Sequence, residues 1–131
     1  MKREDALQMA VAALLDASGL TWFHPPNGEN RNPITGAKLK RMGAKAGLPD
    51  VMILEGPFKS WGVDSNYNGL AIELKAIDAK GKRPKPRLNQ LAWHEQLRRC
   101  GWRVEIVYSL DEAIDVLREC YPQKFAILRK Q

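Results

Sequence analysis

Cysteine is scarce in this chain. Only Cys100 and Cys120 occur among 131 residues, and they stand far apart and outside any C-x-x-C spacing. That excludes a zinc knuckle and a disulfide-stapled scaffold, and it points to reduced thiols. Long apolar runs are lacking as well: nothing approaches the roughly 20 residues of a membrane span. Met1 is followed by Arg3, Glu4 and Asp5 rather than by the apolar core of a signal peptide. No membrane association is expected, and the reading is of a cytoplasmic protein. Internal repeats and low-complexity tracts are also missing. What remains is a chain with 44% hydrophobic residues, enough to bury the core of one domain spanning 1–131.

Charge is unevenly placed. The net charge is +6, yet residues 31–45 carry Arg31, Lys38, Lys40, Arg41 and Lys45 with no acid, a local +5. Residues 76–87 carry Lys80, Lys82, Arg83, Lys85 and Arg87 against Asp78, a local +4, which leaves the rest of the chain net −3. Either window alone reads as a solvated loop. Two of them flanking one stretch of sequence call for a polyanionic partner.

Periodicity predicts an α/β domain. Residues 4 to about 18 form an amphipathic helix through Leu7, Val11, Leu14 and Leu15, with Gly19 as its stop. A short strand follows in "LTWFH", ended by Pro25 and Pro26. Residues 27–47, rich in Asn, Gly, Pro and basic side chains, are expected to be one long loop with turns at "NG" and "TG". "VMIL" and "LAIELKA" read as paired strands, their connection closing in a hairpin-like turn at Asn68-Gly69. A second helix covers 87–100, with Trp93, Leu97 and Cys100 along one side. A strand then runs from Trp102 to Tyr108 with one face more buried, and a last helix opens on a Ser109/Glu112 capping box. The tail "KFAILRKQ" is ambiguous. The order of elements gives a small mixed β-sheet flanked by helices.

The chemistry lies between the two basic windows. Alternation along a strand puts Glu73 and Lys75 on one face and Leu74 on the other. If Asp50 leads the neighbouring strand, its carboxylate converges on the same spot. Two close carboxylates raise one another's pKa unless a cation lies between them, and hard oxygen donors suit Mg²⁺ or Mn²⁺. Such an ion activates water and polarises a phosphoryl oxygen, while Lys75 orients the water or steadies developing charge. Phosphodiester hydrolysis is the expected reaction.

These residues carry a resemblance. "GLPD" followed by "IELK" is similar to the G-x-PD…(D/E)-x-K signature of the PD-(D/E)xK nuclease superfamily, and "NQLAWHEQLRRCGWRVEIVYSLDEAIDVL" resembles the virus-type replication-repair nuclease domain, VRR-NUC. The family's helical E-x-x-x-Q is matched by Glu4 and Gln8, and its Asn-rich turn loosely by "PPNGENR". The resemblance spans almost the whole chain and implies a restriction-endonuclease-like core in a stand-alone domain of the kind phages encode. It further implies metal held by Asp50, Glu73 and the carbonyl of Leu74, with Lys75, Gln90 and Glu4 as the other catalytic positions. The expected activity is endonucleolytic cleavage of branched or flapped DNA intermediates of replication, recombination or repair. One departure stands out: the segment after Lys75 is long and Pro-rich, which bears on how the Gln90 helix approaches.

Three side chains can be weighed without the family. Gln90 falls on the inward side of its helix, where an unpaired amide costs on the order of 1–3 kcal/mol. Its partner is either backbone, or the Lys75 end of the site or a phosphate. Glu4 lies within roughly 40° of Gln8, Val11 and Leu15 on a helical wheel, so it projects along the apolar seam and reaches the cleft, unless it only complements the helix dipole. His94 is read as a surface residue, and His24 as the end of a strand. Phosphate contacts are assigned to Arg31, Lys38, Lys40, Arg41, Lys45, Lys82, Arg83 and Arg87. Because one small domain offers one acidic cleft, cutting two strands calls for a homodimer. The alternative is a non-catalytic nucleic-acid-binding module whose acidic cluster is structural.

Overall fold

The computed structural model describes residues 2–26, 32–57 and 67–125. Helix α1 spans Arg3–Ser18 and buries Leu7, Val11 and Leu15, one side chain per turn. It closes at Gly19, whose φ of 78° is left-handed and natural only for glycine. Strand β1 is Trp22–Phe23, β2 Val51–Ile53, β3 Leu70–Leu74 and β4 Arg103–Val107. Helix α3 (Leu88–Arg99) joins β3 to β4, and α4 (Leu110–Cys120) and α5 (Pro122–Phe125) complete the described chain. No described helix is long and apolar enough to cross a membrane.

The expected loop over residues 27–47 is in part a helix. Pro33–Arg41 forms α2, whose start is set by the Asn32 side chain accepting from the Thr35 amide at 2.8 Å, with Pro33 in the first turn. "TG" lies inside it rather than forming a turn. No residue of α2 is buried, so the apolar periodicity that announces most helices is missing here and only the cap signals it. The expected turn at "NG" and the Asn-rich segment fall in 27–31, outside the described residues, as does Arg31.

The sheet runs β1-β2-β3-β4, antiparallel except for the parallel β3/β4 pair that α3 connects. It is the mixed sheet that the order of elements implies. On one face Leu70, Ile72, Leu74, Val51, Ile53 and Val107 pack with the apolar sides of α1, α4 and α5. On the other, Met52, Ala71 and Val104 meet Leu97 of α3 and the Trp102 ring. Strand β4 is therefore buried on both faces, through Val104 and Val107, rather than on one.

Two local expectations change, in α3 and at the start of α4. The inward stripe of α3 is Gln90, His94 and Leu97, whereas Trp93 is half-buried and Cys100 exposed. At Asn68, the expected end of the β2–β3 connection, the amide and side chain donate to the carbonyls of Gly101 (2.9 Å) and Cys100 (2.8 Å), tying the entry of β3 to that of β4. Ser109 caps α4 by accepting from the Glu112 amide at 3.1 Å, but the Glu112 carboxylate returns to the Tyr108 amide instead of Ser109's.

Candidate active site

The β2/β3 register decides where the carboxylates meet. Val51 pairs with Ile72, so one step further along the antiparallel ladder Asp50 lies across from Glu73, on the face that α3 covers. Asp50 is anchored from two sides. Its Oδ2 accepts from the Leu74 amide at 2.7 Å, and its carbonyl accepts from Nδ1 of His24 at 2.7 Å. The approach depends on Gly47, where φ is 85° and a Cβ would come within 3.0 Å of the Asn89 backbone. Chain leading into β2 thus crosses the first turn of α3 at a distance only glycine permits.

Glu73 is 1% exposed, and both of its oxygens are engaged from α3. Oε2 accepts from the Gln90 amide nitrogen at 3.2 Å and Oε1 from His94 Nε2 at 3.0 Å. Gln90 is held in turn by its Oε1, which accepts from the Arg87 amide at 2.8 Å. One amide side chain therefore links its own helix's first turn to the carboxylate. The long Pro-rich segment does not keep α3 away, because it is tied down along its length. Asp78 Oδ1 accepts from the amides of Lys80 and Lys82, Tyr108 donates its hydroxyl to the Pro84 carbonyl at 2.9 Å, and Arg83 pairs with Glu112 at 2.9 Å.

A cleft of about 410 Å³ opens beside the pair. Asp50, Leu74 and Lys75 line it from the sheet end, Arg87 and Gln90 from α3, His24 from the end of β1, and Lys2, Glu4, Asp5 and Gln8 from α1. The start of α1 is fixed there by Arg3, which donates to the Ile77 carbonyl at 3.1 Å. Glu4 is an exposed residue of the first turn, not one buried along the apolar seam. The helix begins at Arg3, so no earlier turn covers Glu4 and its carboxylate faces the cleft.

Electrostatics single out the carboxylates. Burial, then the hydrogen bond and charge of Glu73, push Asp50 up to about 7, against the Leu74 amide and His24, which pull it down. Glu73 is raised by burial, while its hydrogen bond with Asp50 and the Lys75 charge oppose the rise. Both members of the pair are thus harder to ionise than free carboxylates. Although Glu4 is exposed, partial desolvation where it lines the cleft raises it, against the Lys75 charge, which lowers it. His94 is lowered by burial first and then by Arg98 and Lys75, so its ring is neutral.

No family model matches the chain, and no curated protein matches it in sequence. Among solved structures the chain is similar to one described as a VRR_NUC domain protein, with a TM-score of 0.68, 24% identity, and coverage of 93% of this chain and 90% of that one. This chain has the VRR-NUC fold. Within that fold, the mixed sheet carries Asp50, Glu73 and Lys75 at one end.

The VRR-NUC fold gathers Asp50, Glu73, Lys75, Gln90 and Glu4 around one cleft, with Arg87 on its wall. The other basic residues lie apart from it. Lys38, Lys40 and Arg41 occupy the exposed last turns of α2, and Lys45 and Lys82 lie in exposed loops. Arg83 is engaged by Glu112 and lies 4.8 Å over the Tyr108 ring. Two residues at the site were not legible as such: His94 is 1% exposed rather than on the surface, and His24 orders Asp50. Helical spacing from Gln90 was the available signal for His94, one turn on along the same face.

Among the described residues no three His, Cys, Asp or Glu side chains converge on one point. A divalent ion here would instead use two carboxylates and the Leu74 carbonyl. That donor set fits Mg²⁺ or Mn²⁺, which bind through one or two carboxylates and retain several waters. Glu4→Gln keeps size and hydrogen bonding but removes one cleft charge. The expected outcome is a shifted metal optimum for cleavage, with melting changed by less than the ~1 kcal/mol of a helix-dipole effect. Full activity together with a lower melting temperature would make Glu4 a helix-end residue only.

Proposed function

We propose that this chain is a divalent-metal-dependent DNA endonuclease, hydrolysing phosphodiester bonds in branched or flapped intermediates. The observation that carries this reading is the cross-strand pair of buried Glu73 and half-buried Asp50 beside a cleft that Asp50 and Lys75 line, Lys75 two residues beyond Glu73 along the same strand face. A nucleic-acid-binding module gains nothing from carboxylates that repel phosphate.

Asp50, Glu73 and the Leu74 carbonyl would hold Mg²⁺ or Mn²⁺, which supplies Lewis-acid polarisation of a phosphoryl oxygen and a bound water of lowered pKa. Around that centre the chain's own groups position the scissile phosphate. Lys75 places its ammonium where it orients the attacking water and offsets negative charge building on phosphorus. Arg87, on the cleft wall, offers a planar fork to non-bridging oxygens. Gln90 keeps Glu73 in place from α3. Water attacks phosphorus and gives up a proton through the polar cleft, the P–O bond to the leaving oxygen breaks, and that oxygen takes up a proton from solvent to leave as a hydroxyl.

Incubation of supercoiled plasmid and of flapped and four-way-junction DNA with Mg²⁺ or Mn²⁺ tests the proposal against the same reactions in EDTA. Metal-dependent nicking or strand cutting is expected. Binding without cleavage under every metal condition would favour the binding module.

The exposed basic turns of α2 bind phosphate in this account, so affinity falls steeply with salt. Replacing Lys40 and Arg41 together with alanine is expected to lower the slope of log affinity against log salt by roughly 1–2. A titration in Ca²⁺, which occupies the site without supporting hydrolysis, measures that slope. An unchanged slope would show that α2 faces away from DNA. Cutting both strands of a duplex or junction calls for two clefts, and a two-fold homodimer supplies them. Light scattering at micromolar concentration is expected to give twice the 14.8 kDa chain mass. A monomer that still cuts both strands would remove the need for pairing.

A further inference from the structure

We propose that His94 is a positioning residue for the metal-binding carboxylate, acting through a hydrogen bond from its Nε2 to Glu73 Oε1. This inference rests on the metal-nuclease reading and adds to it a residue that touches neither substrate nor ion.

The geometry is one-sided. His94 and Glu73 are each 1% exposed and their polar atoms lie 3.0 Å apart. An ionised carboxylate only accepts, so the neutral ring carries its proton on Nε2 and leaves Nδ1 bare. Nδ1 is buried and has no hydrogen-bond partner among the described residues. A histidine placed for packing alone would be a poor choice there. It leaves a buried polar atom unsatisfied, whereas Leu97, on the same face of the helix, shows that an apolar side chain suits this layer. What the imidazole gains over leucine is the single N–H aimed at Glu73.

That N–H acts in concert with Gln90. Gln90 fixes Oε2 and His94 fixes Oε1, so the carboxylate plane cannot rotate on the end of its flexible side chain. Both donors project from α3 one turn apart, and α3 is locked against the chain leading to Asp50 by the close crossing at Gly47. The helix thus sets the orientation of one metal-binding carboxylate relative to the other. Partners of this kind typically change metal affinity 10–100-fold when removed.

The experiment compares wild type, Asp50→Asn, His94→Leu and His94→Gln. Free Mn²⁺ is counted by electron paramagnetic resonance during titration, and melting temperature is measured without metal. Leucine removes both the donor and the orphaned Nδ1. Glutamine keeps an N–H that reaches toward Glu73. Expected is a 10–100-fold weaker Mn²⁺ affinity for His94→Leu with an equal or higher melting temperature, and recovery of most of that affinity in His94→Gln. In cleavage, the Mn²⁺ concentration for half-maximal rate should rise far more than the rate at saturating Mn²⁺ falls. Wild-type affinity in His94→Leu, with Asp50→Asn still impaired, would overturn the positioning role and leave the metal site standing. Equal loss of affinity in both His94 variants together with lowered melting temperatures would make His94 a packing residue, again overturning the proposal. Failure of the wild type to bind Mn²⁺ would overturn this proposal and the nuclease reading together.

Discussion

Asp50→Asn is expected to reduce cleavage by at least ~10³ and, without metal, to melt at a higher temperature than wild type. The first effect follows from the proposed mechanism, in which Asp50 is one of two anionic ligands of the ion on which the chemistry depends. The second follows from the carboxylate's raised pKa. Because Asp50 titrates at about 7 when folded and near 3.8 when exposed, the folded state binds its proton more tightly. Stability without metal therefore falls as pH rises from about 4 to 7 and levels off above that. Asparagine keeps an acceptor for the Leu74 amide but carries no charge, so the penalty disappears. A shift of this size corresponds to an upper limit on the order of 4 kcal/mol, and discounting for the site's partial opening leaves about 2, or roughly 5–10 °C. The gain should be largest at pH 8, smaller at pH 5 and nearly absent only below about pH 4, where Asp50 is protonated in both states. Thermal melts of both proteins in EDTA across that range check it. A lower melting temperature for the variant at pH 8 would mean that the pair is not strained by its charges.

Lys75→Ala is expected to lower the cleavage rate by about 10²–10³ at saturating metal while DNA binding in Ca²⁺ stays within a few-fold of wild type. Lys75 is 8% exposed and lines the cleft, and its charge holds down the pKa of both Glu73 and Glu4. Its removal does more than delete a donor to the attacking water. It leaves the carboxylates harder to ionise, so the rising limb of the pH–rate profile should move to higher pH. Single-turnover rates over pH 6–9 read both effects. Cleavage at the wild-type rate under saturating metal would show that the ammonium takes no part in the chemistry.

What the sequence announces and what it conceals divide along physical lines. Strands β2 and β3 are legible because "VMIL" and "LAIEL" are apolar runs bounded by turn-forming residues, and the alternation within β3 places Glu73 and Lys75 on one face without further information. The meeting of Asp50 with Glu73 needs the antiparallel register, which pattern alone leaves open. Helix α2 hides because it buries nothing, so its apolar spacing is empty and only Asn32-Pro33 signals a start. Misplacing the buried side of α3 by part of a turn, through Trp93 and Cys100, is what put His94 on the surface. Counting from Gln90 instead gives Gln90, His94 and Leu97. A polar residue that faces inward is the better origin for a helical wheel near a site, since its polarity has a partner to find. His24 could not be found this way: it lies 26 residues from Asp50 and meets it only because β1 pairs with β2.

On the proposed mechanism a divalent cation binds where burial and Glu73 hold the Asp50 carboxyl up at about 7. Calorimetric titration of Mn²⁺ into the protein, repeated in buffers of different ionisation enthalpy, counts the protons released as the ion binds. With Asp50 at about 7, release of about 0.9 proton per ion is predicted at pH 6 and about 0.1 at pH 8, with tighter binding at the higher pH and none of either in Asp50→Asn. Binding at pH 6 with no proton released, or Asp50→Asn binding Mn²⁺ as the wild type does, would contradict the account.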